Sequence, residues 1–316
     1  MRRTIGQVLE ETKIMVIDGA MSTALEELGC DLNDALWSAK VLIESPEKIK
    51  EVHKNYFAAG ADCSISASYQ ATIPGFIKRG FTEAEAESLI VRSVELLKEA
   101  REEWWEESGK AAGRAYPITA CAVGPYGAYL ADGSEYKGNY GISKEELRAF
   151  HKRRMELLWN AGGDLLAIET IPSMEEAILL AEMVEEMDAA CWITFSCKSE
   201  TEICEGQKIA DCAKALADFK GVQAIGINCT APHLVASLIG EIKSVCDLPV
   251  IVYPNSGAEY DPTTKTWSIP EGCKPYGEFA KDWKEAGAEL IGGCCCTNAK
   301  NICEVHHVLR DGCDCH

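Results

Sequence analysis

The chain predicts a single-domain (β/α)8 barrel of the TIM type, and three observations carry that expectation. Eight apolar, strand-like runs alternate with amphipathic, helix-like stretches from end to end. Most of these runs are continuously apolar, as parallel strands covered on both faces should be. The 316 residues divide into eight units of about 40 residues, enough for one strand and one helix each. A doubly wound open sheet is the second architecture that fits, since alternation alone does not demonstrate closure. No Pro/Gly/Ser linker, short repeat or low-complexity tract divides the chain.

The predicted strands are 14–17, 62–67, 117–122, 164–168, 191–196, 222–227, 249–253 and 288–292. Helix starts are marked between them. Ser45-Pro46 places an N-cap before a proline at the first helical position. Thr82 with Glu85, Ser143 with Glu146 and Ser173 with Glu176 read as capping boxes. In a barrel, functional residues gather where strands end and loops begin. Polar residues do cluster there: Asp18-Gly19 after the first strand, Ser66 to Gln70 after the second and Gly124 to Gly127 after the third. Glu169-Thr170 follow the fourth, Asn228-Cys229 the sixth, Tyr253 to Gly257 the seventh and Cys294-Cys295 the eighth.

Composition bounds the function. The chain is 47% hydrophobic and 26% charged, which is ordinary for a globular protein. A net charge of −19 repels phosphate backbones and anionic lipid, so neither nucleic acid nor a membrane is expected as a partner. Met1-Arg-Arg-Thr is followed by a polar stretch containing Glu10 and Glu11, so no signal peptide is read. No run is long and apolar enough to span a bilayer, and a cytoplasmic location is expected. The 16 cysteines of such a chain read as thiols or metal ligands rather than a disulfide framework. Cys63, Cys121, Cys191 and Cys197 lie inside apolar runs and are expected to pack as small hydrophobes.

The chemistry points to the remaining thiols. Two strand ends on either side of the seventh strand, at Cys229 and at Cys294-Cys295, can place three sulfurs around one ion. Three protein ligands leave the fourth tetrahedral position open, as catalytic zinc requires. A substrate thiol in that position loses its proton well below its free value. Paired C-x2-C knuckles, the usual structural zinc spacing, are absent. Three successive residues cannot all aim at one ion, so Cys296 is expected to turn away or to start the next helix. Cys303, His306, His307, Cys313, Cys315 and His316 offer a second metal site, but a frayed helix end is the simpler reading.

Asp18 and Glu169 are carboxylates at strand ends, where an unpaired buried charge is costly, and a substrate ammonium group would satisfy them. Trp37, Tyr69, Tyr126, Tyr129 and Tyr253 fall in or near the same loops and suit a methylated cation.

Several motifs together identify a resemblance. They are Asp18-Gly19-Ala20-Met21, the run Leu32 to Lys40, Gly60-Ala61-Asp62, and Ala67 to Thr72. They continue with Val123-Gly124-Pro125-Tyr126-Gly127-Ala128-Tyr129-Leu130, Glu169-Thr170, Gly226-Ile227-Asn228-Cys229, Val252 to Gly257, and Gly292-Gly293-Cys294-Cys295. Over nearly its whole length the chain resembles the homocysteine S-methyltransferases, above all the short members that use S-methylmethionine. The resemblance implies zinc held by Cys229, Cys294 and Cys295, with homocysteine bound through its sulfur. It implies that Asp18 and Glu169 hold the amino group and that loop backbone near Ser68 helps hold the carboxylate. Tyr69, Trp37, Tyr126 and Asn255 complete the expected substrate pocket. The methyl group would come from a sulfonium, S-methylmethionine or S-adenosylmethionine, and the product would be methionine. This chain departs from the family at Cys296, where Arg or Gly is common, and in its Cys/His-bearing tail from about residue 303.

Three other readings stand beside this one. A betaine-type donor would need the same acceptor site. A non-catalytic zinc- or thiol-buffering protein would hold several metal ions and tolerate loss of Cys229. A metal-assisted hydrolase would recruit His ligands, and none falls at a predicted strand end. Oligomeric state is not legible in the sequence.

Overall fold

The computed structural model describes residues 2–32, 38–261, 266–268 and 274–310. Eight parallel strands form one sheet: β1 (Met15–Val16), β2 (Cys63–Ile65), β3 (Ile118–Val123), β4 (Leu165–Ile171), β5 (Cys191–Phe195), β6 (Val222–Asn228), β7 (Val250–Tyr253) and β8 (Leu290–Ile291). Each pairs with its sequence neighbour, and β8 pairs with β1. The last gap, between β1 and β2, is bridged at Ile17 and Cys63. Asp62 N donates to Val16 O at 2.7 Å and Asp18 N to Cys63 O at 3.0 Å. The sheet therefore closes on itself, and the open-sheet alternative is excluded.

Alternation along the strands sets two layers. Met15, Ile17, Cys63, Ile118, Ala120, Leu165, Ala167, Trp192, Ala224, Ile251 and Leu290 point inward and fill the barrel. Their neighbours, such as Val16, Cys121, Leu166, Ile193 and Val252, face the surrounding helices. Cys63, Cys121, Cys191 and Cys197 are all buried thiols, packed as expected. The helix Ile5–Thr12 joins the inner layer through Ile5 and Val8. A capping box at Thr4 and Gln7 fixes its start.

Of the three predicted capping boxes, those at Thr82 and Ser143 close in both directions. Ser173 caps its helix by accepting from Glu176 N, but the reciprocal bond is absent. The Glu176 carboxylate is buried and engaged elsewhere. It accepts from Tyr126 N at 2.8 Å and Tyr140 OH at 2.9 Å, and it lies 2.9 Å from His151 Nε2. Ser45 precedes Pro46 at a helix start without a side-chain bond.

Two boundaries differ from expectation. β4 runs to Ile171, so Glu169 and Thr170 belong to the strand rather than to the loop after it. The ladder shifts register between Ile168 and Ile171, and Thr170 takes a φ of 60°, a local kink that re-aims the strand end. The second difference lies at the C-terminus. Cys303, His306 and His307 lie within the helix Ala299–Leu309, whose Ile302, Val305, His306 and Leu309 are buried, so this stretch completes the barrel rather than fraying. Cys313, Cys315 and His316 fall outside the described residues. Among the described residues no helix is long and apolar enough to cross a membrane.

Candidate metal centre and active site

The strand ends deliver three sulfurs to one point. Cys229 follows β6 directly, and its N donates to Tyr253 O at 3.2 Å, tying it to the end of β7. After β8 the chain passes Gly292 and Gly293 before Cys294. A Cβ at Gly292 would lie 2.6 Å from Ile17 Cβ and 2.8 Å from Asp18 O, and one at Gly293 would meet Thr297 Oγ1 at 2.4 Å. The double glycine is what lets this turn press against the end of β1. Cys294 N then donates to Pro254 O at 2.8 Å, and Thr297 N to Cys294 O at 3.0 Å, closing the turn. Cys296 has a φ of 62° and takes no part in the sulfur cluster.

Among the described residues, Cys229, Cys294 and Cys295 are the group able to hold a metal, with their sulfurs all within 4.8 Å of one another. Cys229 Sγ and Cys295 Sγ are 3.3 Å apart. Sulfurs bound at ~2.3 Å to one tetrahedral ion stand about 3.8 Å apart, so small side-chain rotations would seat it. The three thiols are unequal in acidity. Hydrogen bonds from Cys294 and Cys295 hold the Cys229 thiol well below its ordinary range, and those two thiols are pushed up in exchange. A sulfur that accepts from two thiols suits a cation, and a bound metal would displace the protons.

The same cavity is lined by Asp18, Glu169, Tyr69, Thr170, Asn228, Tyr253, Glu135 and Tyr136. Asp18 is 2% exposed and accepts from Ser64 Oγ and, at 2.9 Å, from Ile65 N. Burial still outweighs these bonds and raises its carboxyl to about 7. Glu169 is raised to about 8, chiefly by burial, against a hydrogen bond from Tyr253 and with repulsion from Asp18 and Cys229. Two buried acids that repel each other beside a sulfur cluster offer acceptors that a cationic group would satisfy.

A polar tie beneath the site holds it rigid. Asn228 and Thr170 clasp each other: Thr170 N donates to Asn228 Oδ1 and Asn228 Nδ2 to Thr170 Oγ1, both at 2.7 Å. Thr194 Oγ1 donates to Asn228 Oδ1 at 2.8 Å and lies 2.9 Å from Tyr253 OH, which accepts from Trp192 Nε1 at 3.0 Å. Residues 170 and 228 thus lock the β4 and β6 ends, each next to a functional side chain. Thr170 and Cys229 have φ values of 60° and 48°, uncommon for non-glycine residues and held here by the clasp.

The homocysteine S-methyltransferase family profile matches residues 15–309. A homocysteine S-methyltransferase of Bacillus subtilis, YbgG, is 51% identical over 302 residues, covering 95% of this chain and 96% of its own. The homocysteine S-methyltransferase of Escherichia coli is 46% identical over 297 residues, covering 93% and 95%. The crystal structure of the E. coli homocysteine methyltransferase MmuM in its metallated form superposes with a TM-score of 0.86 at 42% identity, covering 95% of this chain and 98% of that one.

The chain belongs to the homocysteine S-methyltransferase family.

It is therefore a methyltransferase, built on a single barrel with a three-cysteine cluster able to bind metal. In this methyltransferase the residues singled out from sequence are not all together. Asp18, Tyr69, Glu169, Cys229, Cys294 and Cys295 share the cavity. Ser68 is fully buried beside it, its Oγ donating to Ala122 O at 2.8 Å and lying 2.7 Å from Ser66 Oγ, while Ser66 and Ala67 form the wall. Tyr126 is not on the wall. Its ring packs with Tyr129, Tyr140 and Phe150 at centroid distances of 5.7, 5.4 and 4.9 Å. Tyr129 faces Lys78, whose Nζ is 4.2 Å from the ring centroid. Asn255 lies at the β7 end, where its N donates to Thr230 O at 3.1 Å. Trp37 lies outside the described residues.

Sequence reasoning missed Glu135 and Tyr136, which reach the cavity from a loop after β3, and it gave Tyr253 only an aromatic role. Tyr253→Phe tests the tie directly. It strands the Trp192 donor and removes a bond to Glu169, and it is expected to cost about 1–3 kcal/mol in chemical denaturation. An unchanged midpoint would show that the tie is not structural.

Proposed function

We propose that this chain is a zinc-dependent homocysteine S-methyltransferase that uses a sulfonium donor, S-methylmethionine in preference to S-adenosylmethionine, and forms methionine. One observation carries the reading: three clustered sulfurs and two buried, mutually repelling carboxylates line one cavity at the strand ends. Cys229, Cys294 and Cys295 would hold the ion, and a soft three-sulfur set with an open fourth position suits zinc. Bound there, zinc supplies Lewis acidity that keeps the homocysteine sulfur deprotonated at neutral pH. The chain's own residues do the rest. Asp18 and Glu169 accept the ammonium hydrogens, which fixes the direction of the homocysteine side chain. Ser66 and Ala67 lie on the same wall, where their backbone would meet the carboxylate.

Methyl transfer then needs alignment more than activation. A lone pair of the homocysteine sulfur forms the new bond to the methyl carbon. The old carbon–sulfur bond breaks, and its electron pair stays on the leaving sulfur, which becomes a neutral thioether. No redox change and no protein acid are required.

The test is methionine formation from homocysteine and methyl-labelled S-methylmethionine, followed by mass spectrometry with and without a zinc chelator. Labelled methionine that disappears with chelator and returns with zinc is the expected result. No label transfer from S-methylmethionine in zinc-replete protein, with label moving from betaine or S-adenosylmethionine instead, would overturn the donor assignment. Chelator-insensitive transfer would overturn the metal.

A further inference from the structure

Residues 131–142 cross the barrel mouth between the short helix Tyr126–Leu130 and the helix Lys144–Asn160. This strap is anchored at several points. Ser196 Oγ, just past β5, donates to Glu135 O at 3.0 Å. Asn139 N donates to Glu205 Oε1 at 2.7 Å, and Tyr140 OH to the buried Glu176 at 2.9 Å. Gly127 makes room for it, since a Cβ there would stand 2.5 Å from Glu135 N. The result is a single 3-10 turn, Ser134–Tyr136, held over the sulfurs, with Tyr136 OH 3.0 Å from Cys229 Sγ.

Glu135 is the unexplained residue of that turn. It is 8% exposed and lines the cavity, yet its Oε2 is buried with no hydrogen-bond partner among the described residues. A buried carboxylate oxygen in that state costs free energy unless a ligand completes it. No Lys or Arg lines the cavity to do so. Burial, with added repulsion from Cys229 and Asp132, pushes its carboxyl up, which a cation would reverse.

The geometry points to Glu135 as the residue that binds the cationic methyl donor, a role distinct from that of Asp18 and Glu169. This rests on the proposed function, and two arguments place the charge on the donor side. One ammonium group is already matched by the two strand-end carboxylates, so a third acid is surplus to homocysteine. In-line transfer also requires the methyl group to reach the acceptor sulfur from the side away from the cysteines. The open side is the mouth, and Glu135 hangs from the element that crosses it. A methylated sulfonium amino acid carries two positive charges and one negative, so a single carboxylate there balances its net charge.

The test compares zinc-loaded wild type with Glu135→Gln, which preserves shape and removes charge. The KM for S-methylmethionine is expected to rise about tenfold or more while the KM for homocysteine stays within about twofold. Zinc content and circular dichroism serve as the check on folding. Calorimetric titration with S-methylmethionine in the absence of homocysteine gives a readout that needs no turnover, and it should weaken by the same factor. Unchanged donor KM and affinity, or equal rises in both KM values, would overturn the inference. If wild type binds S-methylmethionine through Glu135 but makes no methionine, the proposed function fails and the binding role stands.

Discussion

Cys229→Ala is expected to abolish metal binding and to lower methionine formation on the order of 10³-fold or more. The loss has two sources. Without the ion a free thiol is only a few per cent thiolate near neutral pH, which removes most of the nucleophile. The sulfur also loses its anchor, and with it the alignment that makes the transfer effectively intramolecular. The comparison is clean because the backbone demand at this position does not change: φ is 48°, and alanine tolerates it no better than cysteine. Metal content by elemental analysis, steady-state rate and far-UV circular dichroism should be read on the same preparation. A variant that keeps both metal and rate would place the centre elsewhere. Cys296→Ala is the matched control and should keep most activity, since its sulfur lies outside the cluster.

Glu169→Gln is expected to weaken homocysteine binding by about 2–5 kcal/mol, or roughly 30- to several-thousand-fold, with zinc content unchanged. The residue is 7% exposed, and its carboxyl is raised to about 8. An ammonium group favours the charged form, so binding must expel the proton that Glu169 holds below about pH 8. Wild-type affinity should therefore fall as pH drops from about 8, and the variant should keep only the step that Asp18 supplies near 7. Stability runs the other way. Between the ordinary carboxyl value of 4.5 and about 8, the folded protein holds a proton that the unfolded chain has released. The ligand-free protein therefore loses stability as pH rises through that window, and the variant should lose less. A pH profile identical to wild type in both respects would remove Glu169 from the ammonium site.

Much of this was legible before any coordinates. Continuous apolar runs at even spacing signal parallel strands, because only strands covered on both faces tolerate them. Cysteines that end two such runs, with one strand between them, must come close once the barrel closes. Glu176 shows where a local signal yields to tertiary packing. Its place three residues after Ser173 is a local signal for a capping box, but burial beside His151 and Tyr140 offered a better set of donors. Glu135 and Tyr136 lie in a polar, glycine-punctuated loop that carries no local motif. Which of its side chains would turn inward depends on anchors at Ser196 and Glu205, more than sixty residues away in sequence. Ser68 and Tyr126 illustrate the converse. Both follow the expected strands, but the Ser68 hydroxyl turns to the β3 backbone and the Tyr126 ring to an aromatic cluster, directions that long-range packing sets.

The distribution of the site along the chain bears on how the protein is made. The two cavity carboxylates, Asp18 and Glu169, arrive with β1 and β4, whereas the sulfurs arrive with the ends of β6 and β8. A nascent polypeptide that has not yet delivered β8 carries one of the three sulfurs and lacks the strand that joins β7 to β1. Completion of the three-sulfur cluster and closure of the ring are consequently the same late step. A chain cut short before β8 would be left with an open sheet and a single sulfur of the cluster, so an intact cluster marks a closed barrel.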